Sequence, residues 1–109
     1  MEEKSPLFGN DWSSDLEVEE KIELKRPPRS AVILLNDDYT PMEFVIWLLQ
    51  TIFQKSIEES TRLMLDVHTK GRGICGVYPY DIAQTKAQNV RELAKEHGHP
   101  LECIMEAET

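Results

Sequence analysis

A small α+β domain with the element order β-α-α-β-α-β follows from three observations. Residues 31–35, AVILL, form an unbroken apolar run that stops abruptly at Asn36, Asp37 and Asp38. Three later segments carry apolar side chains at helical spacing. Of two short segments, 73–78 is rich in β-formers and flanked by turn signals, and 101–107 has the alternating pattern of a half-buried strand. A chain of 109 residues, 40% of them hydrophobic, can supply one modest core.

Residues 1–29 are polar and acidic, and they end in the stiff sequence KRPPR. Such a stretch predicts a flexible N-terminal extension, with the folded domain over residues 30–109. Phe8, Trp12 and Leu16, spaced by four, allow a transient amphipathic turn within it. Residues 30–36 are the first strand, continuously apolar and so covered on both faces or by helices on one. Thr40, Pro41 and Glu43 open the first helix, over 41–53, with a Thr-x-x-Glu capping box and proline at the first helical position. Its core-facing stripe is Met42, Val45, Ile46, Leu49, Ile52 and Phe53.

Ser56 and Glu59 form a second capping box, opening a helix that runs to about Lys70 and stops at Gly71. Ile57, Thr61, Met64, Val67 and His68 make up its inner face. The second strand is 73–78. The third helix starts at Pro79 or Tyr80, carries Ile82, Ala83, Ala87, Val90 and Ala94 on one stripe, and ends near His97 and Gly98. Pro100 forbids its continuation. Over 101–107, Leu101, Cys103 and Met105 point inward, while Glu102, Ile104 and Glu106 point outward, in a half-buried strand.

The formal charge of −8 is concentrated at one end. Residues 1–24 hold eight acidic and two basic side chains, which leaves twelve acidic and ten basic for the remainder. No basic cluster offers a footprint for nucleic acid. No apolar run approaches the roughly 20 residues of a membrane span. The opening residues resemble neither a secretory signal nor a transit peptide, so a cytoplasmic location is expected. Cys75 and Cys103, in apolar surroundings without a Cys-x-x-Cys motif, read as small buried thiols.

Asn36, Asp37 and Asp38 place acceptors at the mouth of an apolar wall. That arrangement suits a ligand with a cationic head and an apolar side chain, such as a free N-terminal residue. The same three residues also suit a plain turn after a strand. His68, one helical turn from Met64 and beside Val67, reads on its own as a packed core histidine rather than a ligand contact.

NDDYTPMEFV, with the later LMLDVHTKGRGICGVY and HPL, resembles the ClpS family of adaptor proteins over roughly residues 27–106. The resemblance implies a three-stranded antiparallel sheet packed against three helices, and a bacterial cytoplasm. It also implies an adaptor, not an enzyme, that binds N-terminal degradation signals and delivers them to a Clp-type AAA+ unfoldase and protease. Asn36, Asp37, Asp38 and His68 would form the polar rim that takes the substrate's α-amine. Leu34, Thr40, Met42, Val45, Met64, Val67 and Leu101 would form the hydrophobic pocket for a first residue such as Leu, Phe, Tyr or Trp.

Within that resemblance, Met42 stands where the family has a gate against β-branched first residues. Tyr80, Asp81, Gln84, Thr85 and Lys86 fall on a surface that would dock the unfoldase's N-terminal domain, with Lys86 the matching lysine. Asp81 and Gln84 replace the glutamates expected there. The N-terminal extension would be engaged by the unfoldase during delivery. No cofactor or metal is implied, and a monomer is expected.

Two other classes compete. The same element order resembles the C-terminal domain of the ribosomal stalk protein, an interaction domain that would bind translation factors. Alternatively, Asp37, Asp38 and His68 could serve a small metal-dependent hydrolase. The sequence lacks a His-x-x-x-His pair, a Gly-rich phosphate loop and an activated nucleophile.

Overall fold

The computed structural model describes residues 28–108; the extension predicted for residues 1–29 lies outside them except for Pro28 and Arg29. The elements are β1 (Arg29–Leu35), α1 (Met42–Phe53), α2 (Ile57–Lys70), β2 (Arg72–Pro79), α3 (Tyr80–Glu96) and β3 (Glu102–Ala107). The order is β-α-α-β-α-β, and the three strands form one antiparallel sheet in the order β2-β1-β3. The α+β class, three-stranded sheet and three helices match the expectation, each boundary moving by a residue or so.

β1 is the central strand, and its pleat explains its unbroken apolar run. Val32 and Leu34 join a single core cluster with residues of all three helices and with Cys75 and Cys103 of the flanking strands. Ile33 faces the opposite way, paired with Ile74 on one side and Ile104 on the other, yet is only 1% exposed. On that face Arg72 of β2 reaches Glu106 of β3 at 2.9 Å. Both are cross-strand partners of β1 residues flanking Ile33, so their ion pair bridges diagonally over this isoleucine.

Three readings of helix faces need correction. α1 buries Phe44, Val45, Leu48, Leu49 and Phe53, whereas Met42 is 48% exposed and Ile46 is only partly buried. The apolar stripe is wider than one face, so its centre could not be located from spacing alone. α2 buries Ser60, Met64 and Val67, while Ile57 and His68 are exposed. Ile82 of α3 is also exposed; Ala83, Ala87, Val90 and Ala94 are buried, and these small side chains let α3 lie close on the sheet.

The two capping boxes fare differently. Ser56 accepts from the Glu59 N–H while the Glu59 carboxylate accepts from the Ser56 N–H, and Gly71 ends α2 in the left-handed region at φ 89°. At α1, by contrast, the cap position is Pro41 and carries no side-chain bond. The Thr40 hydroxyl donates instead to Asp37 at 2.7 Å. An acceptor three residues earlier outcompetes the helix end.

Cys75 and Cys103 are free and buried. Burial pushes the Cys75 thiol up to about 12 and the Cys103 thiol up to about 11. Both are inert as nucleophiles at neutral pH.

Candidate functional site

A cavity of about 160 Å³ opens where β1 ends. The last residue of β1 contributes Leu35; the connection to α1 contributes Asn36, Asp37, Asp38 and Thr40; α1 contributes Met42 and Val45; α2 contributes Met64, Val67 and His68; and Leu101 closes the far side. Ten of the eleven expected rim and pocket residues therefore meet around one space. Leu34 does not: it is fully buried in the core one residue earlier, and Leu35 lines the cavity in its place. Two adjacent leucines in a strand look alike in sequence, and only the point where the strand ends distinguishes them.

The cavity is apolar in depth and polar at its mouth. Val45, Met64, Val67 and Leu101 are all less than 8% exposed, while Asn36, Asp38 and His68 are exposed. An engineered apolar cavity of about 150 Å³ holds benzene, so this volume suits one aromatic ring or one branched aliphatic side chain. Met42 stands half exposed at the edge of the opening.

The rim is held by backbone as well as side chains. The Asn36 N–H donates to the Gly71 carbonyl at 3.0 Å, which ties the end of β1 to the end of α2. His68 and Asn36, far apart in sequence, are thereby brought to one side of the cavity. Among the described residues, the rim's side-chain hydrogen bonds converge on Asp37. Its Oδ1 accepts from the Tyr39 and Thr40 N–H groups at 2.8 and 2.9 Å, and its Oδ2 accepts the Thr40 hydroxyl.

Burial alone would raise the Asp37 carboxyl, but it is outweighed by the Thr40 hydroxyl and the two N–H bonds, with His99 nearby adding to the effect. The net result is a value below the ordinary 3.8, so Asp37 is an anion throughout the neutral range. His99 is the contributor that spacing did not reveal. Its ring meets Phe44 of α1 edge-on at 4.4 Å, and this contact brings residues 98–101 against α1 and Leu101 to the cavity.

The predicted docking residues lie elsewhere. The Tyr80 N–H donates to the Pro28 carbonyl at the start of β1, so α3 begins at the opposite end of the central strand from the rim, about 20 Å away for a seven-residue strand. Tyr80, Asp81, Gln84 and Thr85 are exposed there. Lys86 is partly buried: its Nζ donates to the Ile52 carbonyl at 2.9 Å and sits over the Phe53 and Tyr78 rings at 5.6 and 5.4 Å.

Residues 25–104 match the model of the family described as "ATP-dependent Clp protease adaptor protein ClpS". The chain belongs to the ClpS family. The ClpS adapter protein of Hyphomonas neptunium is 54% identical over 94 residues, covering 86% of this chain and 80% of the relative. That of Caulobacter vibrioides, strain NA1000, is 48% identical over 105 residues, 96% of each protein. Among solved structures, Agrobacterium tumefaciens ClpS2 bound to L-phenylalaninamide aligns with a TM-score of 0.74 at 43% identity, covering 76% of this chain and 100% of that one. The ClpS match favours a protease adaptor over the ribosomal-stalk and hydrolase readings, and this chain is not an enzyme. Among the described residues no group of three or more His, Cys, Asp or Glu side chains could hold a metal ion, and no helix is long and apolar enough to cross a membrane.

Proposed function

We propose that this ClpS adaptor binds substrates through a bulky hydrophobic first residue, Leu, Phe, Tyr or Trp, together with its free α-amine, and delivers them to a Clp-type AAA+ unfoldase and protease in the cytoplasm. The observation that carries this reading is the pairing, in one cavity of about 160 Å³, of an apolar floor with a rim of Asn36, Asp37, Asp38 and His68. L-phenylalaninamide, the ligand of the ClpS2 neighbour, has a free amine, a benzyl side chain and an amide in place of the next peptide bond.

The chemistry is favourable. A free α-amine, with a pKa of about 7.7 to 8.0, is mostly cationic at pH 7 and has three donors to place. Asn36 offers a carbonyl, His68 an imidazole nitrogen, and the two aspartates carboxylates. Well-made bonds to a charged group contribute roughly 1.5 to 3 kcal/mol each. Burying a Leu or Phe side chain adds about 1.5 to 3 kcal/mol. Asp37, three of whose acceptor sites already hold the loop together, serves mainly as fixed charge with limited room for a further donor.

Delivery is assigned to the other end of the sheet. Tyr80, Asp81 and Gln84 are exposed there, and residues 1–27 join the domain beside them through Pro28. A monomer suffices for both tasks. The test is a titration of matched peptides, Phe-first with a free amine against the same peptide acetylated. Acetylation removes the charge and two donors while leaving the ring, and it is expected to abolish measurable binding by fluorescence anisotropy. Equal affinities would overturn the rim assignment.

A further inference from the structure

α2 and β2 are joined by a tight reversal at Gly71, so the last turns of the helix lie directly over the start of the strand. At that crossing β2 has Gly73, which is buried. A Cβ built on Gly73 would lie 2.8 Å from Val67 Cγ2 and 2.9 Å from Leu63 Cδ1, closer than carbon atoms can approach. The missing side chain is therefore what lets α2 seat at this depth. Val67 is also one of the three α2 residues that line the cavity.

The two neighbours differ in how they could yield. Leu63 presents the far end of a flexible side chain and can rotate away. Val67 is β-branched in a helix, where a single χ1 rotamer dominates, so its methyl cannot swing clear. Displacement of Val67 has to go where there is space. Around it the core is close-packed, with Leu34 opposite Gly73 in the sheet and Met64 one turn back in the helix, and the open volume is the cavity itself.

We propose that Gly73, which does not line the cavity, is a specificity-determining residue: by leaving Val67 room to sit back against β2, it gives the pocket the width an aromatic first residue needs. The proposal rests on the reading that the cavity receives the first residue's side chain. A methyl at residue 73 advances Val67 into the pocket and penalises wide side chains more than narrow ones. The effect is one of shape selection, acting through a neighbour, and is separate from the exclusion assigned to Met42 at the opening.

The test uses the full chain and three free-amine peptides differing only in their first residue, Leu, Phe or Trp, with thermal melts of every variant. Gly73→Ala is expected to lower the ratio of Trp-first to Leu-first affinity by about threefold or more, the scale on which small changes of pocket volume discriminate. Val67→Ala should shift the ratio the other way. Adding Gly73→Ala to Val67→Ala should return it toward the wild-type value, because the new methyl then occupies vacated space; this double variant also keeps the packing volume and so guards against failure to fold. A ratio unmoved by Gly73→Ala in both backgrounds, or a parallel loss for all three peptides that follows the melting temperature, would overturn the proposal. If the wild type binds none of the three peptides, the site reading falls and this inference with it; if the wild type discriminates normally and only the variants fail to shift, the site reading stands and Gly73 is merely structural.

Discussion

A half-exposed methionine at the edge of a cavity has little core packing to lose, and this separates two roles that Met42 could have. A methionine acting only as packing material would be buried like Met64. We propose that Met42, half exposed beside the cavity, instead crowds whatever enters. Trimming it in Met42→Ala should raise the affinity of Ile-first and Val-first peptides relative to Leu-first by about threefold or more, since specificity by exclusion relaxes when the excluding group is removed. Stability should change by less than about 1 kcal/mol. A matched loss for Leu and Ile in the same titration would assign Met42 to the core. Asp37 shows a second kind of residue-level control. Its folded-state value lies below the ordinary one, so the loop bonds contribute fully above pH 3.8 and are lost only as the pH falls through the lowered value. The loop therefore stays intact across the neutral range, where a free α-amine is mostly cationic.

α1 ends without the devices that stop α2. It has no basic residue in its last turn, and Gln54, at φ 51°, takes the left-handed position that glycine usually fills. The missing cation comes from another element: Lys86 of α3 reaches the Ile52 carbonyl and lies against Phe53 and Tyr78. A cation at a partly buried helix C-terminus contributes from a few tenths to about 2 kcal/mol. Lys86→Met, which retains the apolar stem, should therefore lower stability by about 1 kcal/mol, a fall in Tm of about 4 to 8 °C for a domain of this size. Calorimetry would check it, and an unchanged Tm would show the contact to be dispensable. An ammonium bonded in this way is not a freely available docking group. A partner's carboxylate would have to approach it alongside the Ile52 carbonyl, so any docking defect in Lys86 variants should be read together with the melting data.

At the scale of the molecule, the two tasks proposed for this adaptor sit at opposite ends of the central strand. The cavity opens after Leu35, whereas residues 1–27 join at Pro28 beside the start of α3. We propose that these residues form a separable delivery segment. Every cavity residue lies between Leu35 and Leu101, so deletion of residues 1–24 should leave peptide affinity and Tm nearly unchanged. Delivery should fail, because a tethered segment converts a second contact with the unfoldase into an intramolecular one. In a reconstituted degradation assay the truncated chain should bind a Leu-first substrate yet not stimulate its destruction. Full stimulation would make the segment passive, and lost peptide binding would move the domain boundary.

Much of this organisation was legible because its causes are local. The Ser56 and Glu59 box, the stop at Gly71, the end of α3 near His97 and, apart from Ile82, the stripe of α3 each depend on neighbours within a few positions, and they are where the sequence places them. The cavity residues were legible through motif resemblance: composition alone left Asn36, Asp37 and Asp38 as a possible turn and His68 as a possible core residue. Antiparallel pairing likewise came from the resemblance, since periodicity carries no strand direction. Tertiary structure decided what depends on distant partners. Thr40 turned from capping α1 to bonding Asp37; Leu35 and not Leu34 reached the cavity; Lys86 was drawn to α1; and Gly73 acquired its meaning from Val67 above it. Each outcome is a competition between a local preference and a contact with a remote segment, and the winner is set by which groups the fold brings within bonding or van der Waals distance.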